Sequence, residues 1–345
     1  MLLDNALDKD FQMMLLPLNI LEFVYCQPKY QITSAFVTPN GVRGKIHCMI
    51  GVVIVILANI INTMNTDFVH GNAISETIFK LSFTDTVFYS LSGIFVCITI
   101  IVQDNRNIQL IIKMQNAYRV LHARGGLKRF QRRNWIFVIT VLLAYFFYNL
   151  TYTLCNIYKI THLIYNMILF YFDVNIIIAA RIVKFLEYEV ILWRKELQRF
   201  QRTCSQTNHS QLVKHLVEVH LEEKRLLGAY SNIIGAFKLC SSIFGTSIFV
   251  VMVEACGHPL IYIQFLIDIS QSAQEGVNSQ LVSKITFLVS LVWIVKTFSV
   301  LSCLCLACQQ FYLAVAEVEM ASAVIRGENG CLSILQNFVA TFINS

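Results

Sequence analysis

The runs TDTVFYSLSGIFVCITIIV, residues 84–102, and WIFVITVLLAYFFYNLTYTLC, residues 135–155, bracket the segment QDNRNIQLIIKMQNAYRVLHARGGLKRFQRRN, residues 103–134. Each apolar run is close to the ~20 residues that a helix needs to cross a bilayer. The bracketed segment carries eight Lys and Arg, four of them in its last seven residues. Such a cluster cannot lie in hydrocarbon, so it marks an aqueous side. Four more apolar runs, 46–64, 160–180, 238–256 and 285–308, bring the predicted spans to six. Of the 27 Lys and Arg, 22 fall in the N-terminus, 103–134, 181–237 and the tail after 308, with four, eight, nine and one. The opposite side, 65–83, 156–159 and 257–284, holds only Lys80, Lys159 and Lys284, while Lys238 and Lys296 lie within runs. Positive charge stays on the cytoplasmic side, so the N-terminus is predicted to be cytoplasmic. That orientation disfavours a G-protein-coupled receptor.

The expected fold is therefore all-α: a polytopic membrane helix bundle. The runs are continuous rather than alternating, which argues against a β-barrel. A composition of 56% hydrophobic and 14% charged residues fits an integral membrane protein. The net charge of +6 comes from the cytoplasmic segments and suits contact with anionic inner-leaflet lipid; it does not support nucleic-acid binding. The first ten residues carry three Asp and one Lys, so no basic region precedes a short apolar core and no secretory signal is expected.

Three regions follow. Residues 1–45 form a cytoplasmic N-terminal segment in which Phe11–Tyr25 reads as an amphipathic or buried helix at the inner membrane face. Residues 46–308 form the bundle, with cytoplasmic helical extensions at 103–134 and 181–237. In the first extension Leu110, Met114, Tyr118 and Leu121 recur at helical spacing before the Gly125–Gly126 break. In the second, spans four and five are expected to continue as helices below the membrane, joined near Cys204–Gln211. His258–Pro259 is expected to open an outer loop, and 309–345 to form a cytoplasmic tail. The 11 Cys form no framework, although Cys155 and Cys256 approach the outer surface and a bridge between them is open. Asn149-Leu-Thr151 and Asn208-His-Ser210 match the glycosylation pattern but fall in a span and in a cytoplasmic segment.

No catalytic motif, metal-ligand spacing or cofactor-binding pattern is present, so neither an enzyme nor a cofactor is expected. The polar and aromatic side chains of the outer half-spans are more informative. Span two contributes Asp85, Phe88 and Tyr89; span three, Tyr145, Tyr148, Asn149 and Tyr152; span four, His162, Tyr165 and Asn166. Tyr gathers at membrane interfaces anyway, which accounts for part of this enrichment. Tyr145, Tyr148 and Tyr152 share one helical face that reaches deeper, where they can wall a pocket for a small organic ligand. Asp173 and Lys296 place charges within spans four and six. An unpaired charge at mid-bilayer costs at least ~2.5 kcal/mol, so each faces the bundle interior, either as a structural ion pair or in a ligand or gating role. Glu254 and Lys238, at the two ends of span five, are expected to snorkel to water.

The chain resembles the insect gustatory receptors, and among them the moth and butterfly members. The matching stretches are FQMMLLPLNILEFVYCQPKYQI at Phe11–Ile32 with VTPNG at Val37–Gly41, and DVNIIIAARIVKFLEYEVILWRKEL at Asp173–Leu197. LLGAYSNIIGAFK at Leu226–Lys238 and CQQFYLAVAEVEMASAVI at Cys308–Ile325 continue the pattern. The resemblance implies a seven-helix, tastant-gated, nonselective cation channel built as a homo- or hetero-tetramer, multi-pass in the plasma membrane of gustatory neurons. It also implies a tastant held in the outer half of the bundle, with the aromatics above as its contacts. The aromatic-rich, weakly charged outer half-spans themselves lean toward bitter compounds over sugars. One departure stands out. The family's seventh helix carries a Thr-Tyr pair and a Gln-Phe near its end, whereas this chain closes with CLSILQNFVATFINS, residues 331–345. The expectation is a truncated record, a short form or a degenerate paralogue lacking the pore helix. A nonconducting subunit that modulates full-length receptors and a small-solute transporter are the competing readings.

Overall fold

The apolar runs fold as helices because a helix satisfies every backbone donor and acceptor within its own segment, as hydrocarbon requires. A computed structural model describes residues 5–64, 73–121, 126–155, 160–206, 212–272 and 277–328. The helices are α1 (Lys9–Val24), α2 (Val42–Met64), α3 (Ala73–Val102), α4 (Asp104–Val120), α5 (Gly126–Cys155), α6 (Ile160–Gln206), α7 (Leu212–Ser272) and α8 (Val277–Glu328). Five of them, α2, α3, α5, α7 and α8, contain stretches long and apolar enough to cross a membrane. The chain is thus a membrane-embedded all-α bundle. The run 160–180 forms the first half of α6, and its side chains before Phe170 lie outside the described residues.

The α6 helix is the axis of the bundle. Residues 170–180 are buried without interruption, a pattern that requires neighbours on every side. It packs against α8, α7, α2 and α5. The outer helices instead leave Val53, Phe95, Leu143, Phe249 and Val295 uncovered, as helices facing acyl chains do.

The described residues of 103–134 and 181–237 are largely helical. The second half of α6 packs against the first half of α7 through Trp193, whose indole N–H donates to the Leu226 carbonyl at 2.6 Å and whose ring lies 5.0 Å from that of Tyr230. Phe237 of α7 stacks on Phe311 of α8 at 4.2 Å. At ~1.5 Å per residue, the 61-residue α7 runs ~90 Å, about three times the hydrocarbon thickness. Leu110 and Met114 of α4 and Leu121 just after it are buried, Tyr118 is half-buried, and Arg106 donates to the Ser242 hydroxyl at 2.8 Å.

The N-terminal segment differs in detail from expectation. α1 is a helix, but it is apolar on both faces: Phe11, Met14, Leu15, Leu18 and Leu21 are buried, while Met13, Leu16, Ile20, Phe23 and Val24 are exposed. Beyond it a short hairpin, not foreseen in the sequence, pairs β1 (Gln31–Thr33) with β2 (Phe36–Thr38). Glu22 and Lys29 form a buried ion pair at 2.9 Å, with Lys29 also 5.0 Å from the Phe244 ring. Burial pushes the Glu22 carboxyl above its ordinary range and Lys29 pulls it back.

Gly51 is where this segment meets α2. A Cβ added there would stand 2.5 Å from the Cys26 Cβ, and Cys26 already holds a positive φ of 55°. Gly51→Ala is expected to destabilise the protein by ~1–3 kcal/mol through overpacking. Gly228→Ala, with open space around the added methyl, is expected not to. Thermal transitions of the two variants in detergent check the difference.

Two expectations that fall on α7 are corrected. α7 continues through His258–Pro259 to Ser272, so no loop opens there. Cys256 is an exposed free thiol, so it is not bridged to Cys155.

Candidate functional site

Inside the bundle α3, α5, α6, α7 and α8 each contribute a buried polar or aromatic side chain. Asp173 of α6 and Lys296 of α8 form an ion pair at 2.8 Å, their side chains 1% and 13% exposed. The helix around Asp173 is enclosed, so its carboxylate can be compensated only from a neighbouring helix, and Lys296 supplies that charge. The ammonium also lies 3.8 Å from the Trp293 ring and 6.0 Å from that of Tyr145. Aromatic faces around a desolvated cation add to its stabilisation.

A second polar contact joins α3 to α7. The Tyr89 hydroxyl donates to Glu254 Oε1 at 3.0 Å, and both residues are 2% exposed. Glu254 therefore does not snorkel to water. The reason is the length of α7: Glu254 lies well inside the helix rather than at its outer end.

Aromatic rings knit the two contacts together. Tyr145 packs on Phe170 at 4.4 Å and on Tyr148 at 6.0 Å, while Tyr89 lies 5.4 Å from both Phe172 and Phe88. Tyr25, at the end of α1, reaches Phe170 from the other side at 5.0 Å. Asp173 Oδ1, Trp293 Nε1 and Thr297 Oγ1 are buried with no hydrogen-bond partner among the described residues. Each is a donor or acceptor that burial leaves unsatisfied, at a cost of ~1–3 kcal/mol.

Of the predicted site residues, Tyr89, Tyr145, Asp173 and Lys296 come together at this centre. Phe88 and Tyr148 are half-buried at its edge, and Asp85 is half-buried one turn from Tyr89 on α3. Tyr152 and Tyr165 sit on helical backbone, and their side chains lie outside the described residues. Sequence reasoning missed Glu254 and Trp293, since nothing in a single span shows which helix will pack beside it. A crevice too narrow to admit a water molecule lies between α7 and α8 and is lined by Glu254, Pro259, Trp293 and Thr297 among others. It falls far short of the ~300 Å³ typical of small-molecule pockets. Tyr145, on the face predicted to wall a pocket, packs against Phe170, and Tyr148 lies beside it.

Below this centre α6 carries another buried acid. Glu189 is wholly buried, and neither carboxyl oxygen has a hydrogen-bond partner among the described residues. Burial pushes its carboxyl well above the ordinary range.

No protein-family model matches the chain, and no curated protein matches it.

Proposed function

We propose that the chain is a chemoreceptor subunit of the insect gustatory type, gated by a small tastant and acting in a tetrameric, nonselective cation channel of the plasma membrane. Its N-terminus is cytoplasmic and its bundle has six spans, α6 included. The observation that carries the reading is the buried cluster of Tyr89, Glu254, Asp173, Lys296 and Tyr145, which draws on five helices. A purely structural bundle gains little from two buried polar contacts, because well-packed apolar residues stabilise equally well or better. A receptor gains a set of interactions that a ligand can compete for, so that binding prefers one arrangement of the helices. Aromatic walls with few charges suit a broad class of bitter compounds better than sugars, whose many hydroxyls need many partners.

Calcium imaging of cells expressing the chain, alone and with other members of the family, against a panel of bitter compounds and sugars, tests this. Tyr89→Phe removes one hydrogen bond to a buried carboxyl. It is expected to shift the half-maximal ligand concentration about tenfold, the equivalent of ~1.4 kcal/mol. Tyr145→Ala is expected to abolish the response while leaving surface expression measurable. Normal responses from both variants to every active ligand would remove the site from the mechanism.

A further inference from the structure

The first turns of α5 carry Lys128, Arg129, Arg132 and Arg133, all exposed. None has an ion-pair partner among the described residues. At about 100° per residue the four fall within an arc of ~140°. Leu127, Phe130 and Asn134, on the opposite side, are buried. The same arc continues up the helix as Ile136, Ile139, Leu143, Phe146, Phe147 and Leu150, all exposed. One stripe of α5 is therefore basic for its first two turns and apolar for the rest of its length.

That continuity identifies what the basic turns face. An exposed apolar stripe on a helix able to cross a membrane faces acyl chains. Cations directly in line with it, at the helix end, lie at the depth of the lipid headgroups. A fifth cation adjoins them from α6. Arg181 donates to Asn134 Oδ1 at 2.9 and 2.7 Å, with its guanidinium 5.0 Å from the rings of Phe130 and Phe137. Burial and, to a lesser extent, the charge of Arg133 together lower the Arg181 pKa to about 10. The positive charges thus repel one another across the α5–α6 contact, and no acid among the described residues relieves them. A singly charged headgroup neutralises one such cation. A headgroup bearing several phosphates neutralises several at once, and Arg guanidinium matches phosphate oxygens in pairs.

We propose that the basic stripe at the start of α5 binds the phosphorylated inositol headgroup of an inner-leaflet lipid. The proposal rests on the reading that α5 begins on the cytoplasmic side. It adds a specific lipid ligand to a receptor whose tastant site lies in the other half of the bundle.

The test uses full-length protein in phosphatidylcholine nanodiscs, titrated with fluorescent phosphatidylinositol bisphosphate or, at matched charge, phosphatidylserine. Nanodiscs present lipid on both faces, so binding there does not depend on cellular orientation. Wild-type protein is expected to prefer the bisphosphate lipid. Changing Lys128, Arg129, Arg132 and Arg133 together to Gln is expected to lower its affinity by about tenfold or more. A control with Lys195, Arg199, Arg202 and Lys224 changed to Gln loses the same charge from the α6–α7 extension and is expected to bind as wild type. Equal loss in the two variants, or equal binding of phosphatidylserine, overturns the site. So does binding of a free inositol phosphate as tight as that of the lipid. An unchanged thermal transition shows that each variant is folded. An N-terminal tag in intact cells separates the two readings: an extracellular tag removes the orientation, whereas a cytoplasmic tag with no bisphosphate preference removes the lipid site alone.

Discussion

Lys296→Ala is expected to lower the yield of folded protein severely, because it leaves the Asp173 carboxylate inside the bundle without its cation. Breaking a buried pair by removing one partner typically costs ~3–5 kcal/mol, a large part of the stability of an ordinary domain. Asp173 is 1% exposed, so the loss is expected near the upper end of that range. Asp173→Asn combined with Lys296→Met removes both charges while keeping similar volumes, and is expected to recover most of the folded protein. Monodisperse yield after detergent extraction and surface labelling of intact cells read the effect. Wild-type behaviour of Lys296→Ala would mean that the pair is not what holds α6 to α8. Recovery of folding in the double variant without recovery of ligand response would assign the pair a role in signalling beyond stability.

Glu189→Leu is expected to act in the opposite sense. The carboxyl is wholly buried and unpartnered among the described residues, so replacing it with an apolar side chain removes an unsatisfied group and is expected to stabilise the packing of the second half of α6 by ~1–3 kcal/mol. The pH dependence follows from the direction of its shift. A carboxyl raised by burial keeps its proton in the folded state after the unfolded chain has lost it. The folded state then binds more protons, and stability falls as pH rises above the unfolded value of ~4.3. Thermal transitions measured from mildly acidic to neutral pH are expected to fall in the wild type and to flatten in Glu189→Leu. Parallel slopes in the two proteins would assign the pH dependence to another group.

The helices were legible from the sequence because membrane spans and amphipathic extensions announce themselves locally. Apolar length marked α2, α3 and α5, and the spacing of Leu110, Met114 and Leu121 marked the buried face of α4. The Asp173–Lys296 pair was legible too, at least as a choice, since two charges of opposite sign inside an apolar bundle have few other places to go. The Tyr89–Glu254 contact was not. It joins residues 165 apart, and the position of Glu254 near the end of an apolar run gave no sign that α7 continues beyond it. Pro259 misled for a related reason: it forgoes one backbone hydrogen bond, but a long helix packed on its neighbours tolerates that. The hairpin at Gln31–Thr38 was invisible because Ser34 and Ala35 turn the chain through positive φ angles of 51° and 70°, which usually call for Asn or Gly.

The enclosure of α6 also bears on how the protein is made. Asp173 leaves the ribosome 123 residues before Lys296. At ~5–20 residues per second, that interval is roughly 6–25 s. During it, the helix that will form the axis of the bundle has its acid and lacks its cation. Nor does it yet have the neighbour that will seal one whole side. Until α8 emerges, a membrane-inserted α6 carries an unpaired acid at a cost of ~2.5–3.5 kcal/mol, and pairing with Lys296 offsets that cost only when the last of these helices arrives.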